Sequence, residues 1–242
     1  MNQIVSQTVR YESEGQVFAC QLLYDPSDSS PRPGLLMAPN WMGVSAGAIE
    51  IARQVAARGY VVLVADVYGA ELRPQGMEEA SAAMMTVKGK PALRQRLLAA
   101  LDTLKAQIGI SLDSSRLAVF GFCFGGHCAL ELARAGAPLQ AAVSFHGTLD
   151  SANPADAQNI QGSVLVLDGA ADPFVPRSQL TEFAEEMGAA GVDWQLISYG
   201  RAVHSFTDPQ ANIPGKMHYD AKVSRRAFAA MYDLFDEVFS AR

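Results

Sequence analysis

The chain has 242 residues, 49% of them hydrophobic and 18% charged. That length suits one α/β domain, and the composition excludes disordered, collagen-like and coiled-coil classes. Nineteen Lys and Arg against 25 Asp and Glu give a formal net charge of −6, which repels phosphate backbones and anionic lipid, so nucleic acid is not an expected partner.

In chain order, the first expected feature is a hairpin: Ile4 to Arg10, a turn at Glu12 to Gly15, then Val17 to Tyr24. Strands follow at Gly34 to Ala38, Tyr60 to Ala65, Arg116 to Phe120, Ala141 to Phe145, Val164 to Leu167 and Trp194 to Tyr199. Most are continuous apolar runs, the pattern of strands covered on both faces. Between them Ile49, Ala52, Val55 and Ala56 recur at helical spacing, as do Leu93, Leu97, Leu101, Leu104 and Ile108, and later Phe228, Met231, Phe235 and Val238. Gly59 is a helix stop, and Asn212 to Met217 reads as the longest late loop. The alternation predicts an α/β chain with a doubly wound, mostly parallel sheet behind an N-terminal antiparallel hairpin, in one domain spanning residues 1–242. The stretch between Val67 and Lys90 is too short for a large cap domain.

Cys20, Cys123 and Cys128 are too few, and odd in number, for a secreted disulfide framework. Met1 to Gln7 lacks a basic stretch followed by an apolar core, and no apolar run approaches about 18 residues. A cytoplasmic location with no export signal and no membrane span is therefore expected.

The chemistry centres on Gly121-Phe122-Cys123-Phe124-Gly125-Gly126-His127, between a strand and a helical run. This is a G-x-C-x-G nucleophile elbow, in which small flanking residues permit a sharp turn that lifts one side chain out at the sheet's carboxyl edge. Cys123 occupies the apex, facing a helix amino end that favours thiolate over thiol. A free cysteine is by default a small buried hydrophobe, but that default gives no reason for its place between these glycines. Cys128, on the helix, is expected in the core, because a redox pair with Cys123 is strained by helix geometry.

An elbow nucleophile requires an acid after a later strand and a histidine after the next. Val164 to Leu167 leads into Asp168-Gly169-Ala170-Ala171-Asp172, and Trp194 to Tyr199 leads into the loop holding His204. Asp172 orienting His204 completes a nucleophile, base and acid. Asp168 is the rival acid, but its closeness to strand register favours Asp172. Of the four histidines, His204 alone follows the last strand. His127 sits just inside the elbow helix, His146 ends a strand where structural use is expected, and His218 is expected to open the terminal helix. Scattered histidines without an H-E-x-x-H or C-x-x-C pattern argue against a metal site.

On these motifs, together with Gly169-Ala170-Ala171-Asp172-Pro173 and His204-Ser205-Phe206, the chain resembles the dienelactone hydrolase family of the α/β-hydrolase fold over nearly its whole length. The resemblance implies a Cys123–His204–Asp172 triad that cleaves esters and lactones through a thioester, with no metal or organic cofactor. It also implies an oxyanion hole from the backbone N–H groups of Trp41 and Phe124. Asn40, Phe174 and Phe206 are expected at the substrate pocket. Asn40 stands where well-known members carry a glutamate against the resting thiol, and it cannot act as a carboxylate. Without that anion the thiolate and imidazolium pair should form more readily. Members acting on dienelactone hold its carboxylate with arginines, one shortly after the catalytic histidine. Here that stretch leads to Asp208, and Gly76 to Met85 holds Glu78 and Glu79 but no arginine, which argues against an anionic substrate.

Thiolate leaves a tetrahedral adduct more easily than an alkoxide does. Enol lactones, aryl esters and thioesters are therefore the expected substrates, with phosphotriesters as a side activity. The expected partner is a small ester or lactone, and the chain is expected as a monomer or homodimer. A general carboxylesterase or thioesterase, and a non-catalytic or redox relative of the fold, are the competing readings.

Overall fold

The computed structural model describes residues 4–240, which are α/β with a mostly parallel sheet. Two compact units, 1–119 and 120–242, are taken in turn. The first holds β1 (Val5–Ser13), β2 (Gln16–Tyr24), β3 (Arg32–Ala38), α1 (Ala46–Ala56), β4 (Val61–Val64), α2 (Met77–Val87) and α3 (Pro91–Lys105), and most of β5 (Leu112–Phe122), which crosses the boundary.

β1 and β2 pair antiparallel with Ser13 opposite Gln16. The two-residue turn at Glu14 and Gly15 has positive φ at both positions, 53° and 75°, as the twist of a tight hairpin demands. β2 runs antiparallel to β4, and β4 parallel to β3. Every residue of β3 and β4 is buried, which explains why both read as unbroken apolar runs. α1 is capped by Ser45, whose side chain accepts from Ala48 N–H, and it buries Ala48, Ala52, Val55 and Ala56. α3 starts on Pro91 and buries Leu93, Leu97, Ala100, Leu101 and Leu104. The predicted stripe ran to Ile108, but the helix ends at Lys105 and Ile108 is exposed. The short stretch after Val67 holds α2, a helix that periodicity did not single out.

The second unit holds the end of β5, α4 (Phe124–Arg134), β6 (Ala141–Phe145), β7 (Ser163–Gly169), α5 (Ser178–Ala190), β8 (Trp194–Tyr199), β9 (Asn212–Ile213), β10 (Met217–His218) and α6 (Ala221–Ser240). β6, β7 and β8 pair parallel in that order, so the segments following all three leave one carboxyl edge. Two corrections arise here. The stretch expected as a loop carries the β9–β10 hairpin, and His218 lies on β10, with the terminal helix starting only at Ala221. α5 was not anticipated, although Leu180, Phe183 and Met187 sit at helical spacing and pack into a buried cluster with Leu130, Leu149, Val164 and Val166. α6 lays Phe228 against Phe145 and Phe122, with ring centroids 5.1 and 5.9 Å apart. No helix among the described residues is long and apolar enough to cross a membrane.

Candidate active site

Cys123 is the N-cap of α4, with φ 55° and ψ −119°, a conformation that an L-residue holds only under compulsion. The helix reaches this close to β6 because two glycines meet there. A Cβ on Gly126 would stand 2.6 Å from Ser144 Oγ and 3.0 Å from the Gly147 Cα, and one on Gly147 would stand 2.8 Å from the Gly126 carbonyl carbon. The Cys123 carbonyl accepts from the Gly126 and His127 N–H groups at 2.9 and 3.3 Å, opening the helix. Phe124 is the first helical residue, at the amino end of α4. The sulfur-bearing residue is half-buried.

The acid and base loops are fastened to each other by backbone. Ala170 N–H donates to the Tyr199 carbonyl at 3.0 Å and Ala171 N–H to the Ala202 carbonyl at 2.9 Å. A Cβ on Gly169 would come within 2.7 Å of that same Ala202 oxygen. The β10 hairpin holds His204 from the other side: its N–H donates to the Lys216 carbonyl at 3.1 Å, and its carbonyl accepts from His218 N–H at 3.1 Å. Ser205 then turns with φ 57°.

In the site so built, His204 Nδ1 lies 2.7 Å from Asp172 Oδ2, while Asp172 Oδ1 accepts from Phe174 N–H at 2.8 Å. Both residues are buried. Burial works against protonating this ring, but Asp172, which takes Nδ1, and the neighbouring Cys123 outweigh it, and the His204 pKa is pushed up to about 10. With Nδ1 committed to Asp172, Nε2 is the ring nitrogen left for a further partner. Asp168, the rival acid, stays in β7 and is tied to Arg177 by a forked pair at 2.7 and 3.0 Å and to Ser198 Oγ at 2.6 Å. It holds the β7 and β8 ends in place and does not touch His204.

The remaining expected residues divide. Phe174 is 48% exposed with its ring edge-on to His204 at 5.1 Å, placed as a wall of the reacting centre. Phe206 does not fit a pocket. It is 0% exposed, because the turn at Ser205 sends it inward between His146 and Tyr199, at 4.9 and 5.7 Å. In residues 1–119, Asn40 Oδ1 accepts from Met42 N–H at 3.0 Å and its carbonyl accepts from Gly43 N–H at 2.9 Å. Asn40 therefore shapes the turn after β3, a common use of this side chain. Trp41 sits in that turn, its carbonyl accepting from the Tyr68 hydroxyl at 2.9 Å. Cys128 is buried in α4 as expected. Among the described residues, no group of three or more His, Cys, Asp or Glu is placed to hold a metal.

The structural use expected of His146 is only part of its placement: its ring packs on His204 with centroids 5.1 Å apart and takes the Cys123 N–H at 3.2 Å, and Thr207, which the sequence did not single out, lies 2.8 Å from the His146 Nε2. The signal was available: His146 follows β6 at the same edge from which the acid and base loops leave.

The sequence model of the dienelactone hydrolase family matches residues 20–239. The chain belongs to the dienelactone hydrolase family. Among solved structures, this family member is similar to m3DLH at 40% identity and TM-score 0.91, covering 97% of this chain and 98% of that one. It is similar also to a dienelactone hydrolase-like promiscuous phosphotriesterase from metagenomic libraries, at 39% identity and TM-score 0.90, with the same 97% and 98% coverage. A putative carboxymethylenebutenolidase of Yersinia pestis is 24% identical over 233 residues, 93% of this chain and 85% of the relative. The chain is thus a dienelactone hydrolase-like hydrolase, of a family acting on small lactones or esters.

Proposed function

We propose that this protein hydrolyses activated esters and lactones with Cys123 as nucleophile, His204 as proton carrier and Asp172 as the residue that orients and charges the imidazole. The observation that carries the reading is one buried imidazole held by a buried carboxylate beside a half-buried cysteine on a strained elbow.

In acylation the sulfur attacks the carbonyl carbon, a C–S bond forms, and the carbonyl pair moves onto oxygen. The Phe124 N–H at the amino end of α4 faces that developing charge, and such a donor is worth about 10² to 10³ in rate. Collapse breaks the bond to the leaving oxygen, which takes the His204 proton; where the leaving group departs as a stable anion, His204 gives that proton to solvent, so the ring is neutral before deacylation. Water then attacks the thioester while His204 accepts its proton; the C–S bond breaks, and thiolate and imidazolium are restored. The half-exposed Phe174 borders the acyl group. Phosphotriesters are proposed as secondary substrates, supported by the activity named for the relative 39% identical to this chain. A cytoplasmic location and a monomeric or homodimeric state complete the proposal.

Steady turnover of p-nitrophenyl acetate that disappears in Cys123→Ala supports this reading. With acyl groups matched, aryl esters should turn over faster than alkyl esters, and equal rates would count against a thiolate nucleophile.

A further inference from the structure

Five non-glycine residues among those described have positive φ, and three of them, Cys123, His146 and Ser205, surround the reacting centre. Strain of this kind persists only where the surroundings over-determine it. The ring of His146 touches both other strained segments. The Cys123 N–H is shared between the Phe145 carbonyl at 2.9 Å and His146 Nδ1 at 3.2 Å. On the far side of the ring, Nε2 lies 2.8 Å from Thr207 Oγ1, two residues beyond the turn at Ser205. His146 and Thr207 are both buried.

Because Nδ1 faces a donor, the single proton of a neutral ring must sit on Nε2, which then donates to Thr207. We propose that His146 is a positioning residue: as a neutral ring protonated at Nε2, it ties the backbone of the nucleophile elbow to the loop carrying His204 and thereby sets the reach from sulfur to imidazole. The inference rests on the hydrolase reading above and concerns the same site.

The tie works only while the ring is neutral, since a second proton on Nδ1 would confront the Cys123 N–H with another donor. The surroundings enforce neutrality. Phe122 and Phe206 flank the ring without charge. The titratable groups facing it are Cys123 on the elbow and His204, whose ring centroid is 5.1 Å away. Burial and the His204 charge together hold His146 well below the ordinary histidine range. A catalytic imidazolium beside a second histidine thus keeps that neighbour in the form that positions the nucleophile.

Nitrogen NMR of the ring and the kinetics of Thr207 variants together test this. In the full chain, His146 is expected to hold the Nε2–H tautomer, without titrating, across about pH 5 to 8 where ordinary histidines change charge. Thr207→Val, which removes the acceptor at nearly constant volume, should slow acylation by p-nitrophenyl acetate about 10-fold with little change in KM. Thr207→Ser should restore the rate. Assays run well below each variant's unfolding temperature separate positioning from stability. A His146 ring that titrates in this range or carries its proton on Nδ1 overturns the inference, as does wild-type acylation in Thr207→Val or no recovery in Thr207→Ser. Cys123→Ala run alongside separates the two levels: turnover persisting there removes Cys123 as the nucleophile, whereas its loss alongside normal Thr207→Val kinetics removes only the role of His146.

Discussion

Residues 120–242 bury two clusters of charge, and they are built on opposite principles. In the first, Arg134 at the end of α4 is 0% exposed and forks onto Glu186 of α5 at 2.8 and 2.7 Å. Glu131 at 3.2 Å and the Leu149 and Asp150 carbonyls at 3.0 and 3.3 Å take its remaining donors. All three charged side chains stand on regular helix. In the second, Asp172 and His204 lie on loops, the third member is a half-exposed thiol, and three nearby residues hold positive φ. The guanidinium's donors are taken up within the fold, which makes that cluster structural. The imidazole lies beside a cysteine that is only half-buried, which fits the reactive role proposed for it.

Each cluster can be broken by a substitution that spares the other. The largest effect is expected from Asp172→Asn, which leaves His204 without the charge that orients it: kcat should fall about 10²- to 10⁴-fold, measured on p-nitrophenyl acetate, with a small change in unfolding temperature. Arg134→Met strands Glu186 and Glu131 in the interior and should cost about 3–5 kcal/mol of stability in denaturant unfolding, while kcat in the folded fraction stays near wild type. Loss of kcat in Arg134→Met with stability unchanged would erase the distinction between the clusters.

The smallest effect is a pH dependence. His204 is raised from about 6.5 in the unfolded chain to about 10 when folded. Its contribution is therefore complete below about pH 6.5 and is lost as pH rises through about 10. The stability gap between wild type and Asp172→Asn should be widest near pH 6 and should narrow toward pH 10; a gap that widens with pH contradicts the charged imidazole.

The order of the main-sheet strands, and the places of Cys123, Asp172 and His204 just beyond strand ends, were legible because each depends on a strand ending where a loop begins, and apolar runs mark strand ends clearly. Asp172 could be chosen over Asp168 on the same ground, and the Arg177 and Ser198 bonds to Asp168 give that choice its physical reason. What depended on a backbone turn was not legible. Phe206 follows His204 closely in the sequence, yet the positive φ at Ser205 buries it. The role of His146 depends on which ring nitrogen faces which group, and no spacing of residue types encodes that. α5 was missed for want of counting, since its apolar positions carry the period.

In the proposed mechanism the Cys123 sulfur is the atom that takes the acyl group. Rapid acid quench of the enzyme during turnover of p-nitrophenyl acetate, followed by peptide mass spectrometry, measures this directly. One acetyl group on the peptide containing Cys123, absent from Cys123→Ala, is the predicted result. Turnover with that cysteine unmodified, or with the acetyl on another residue, would contradict it.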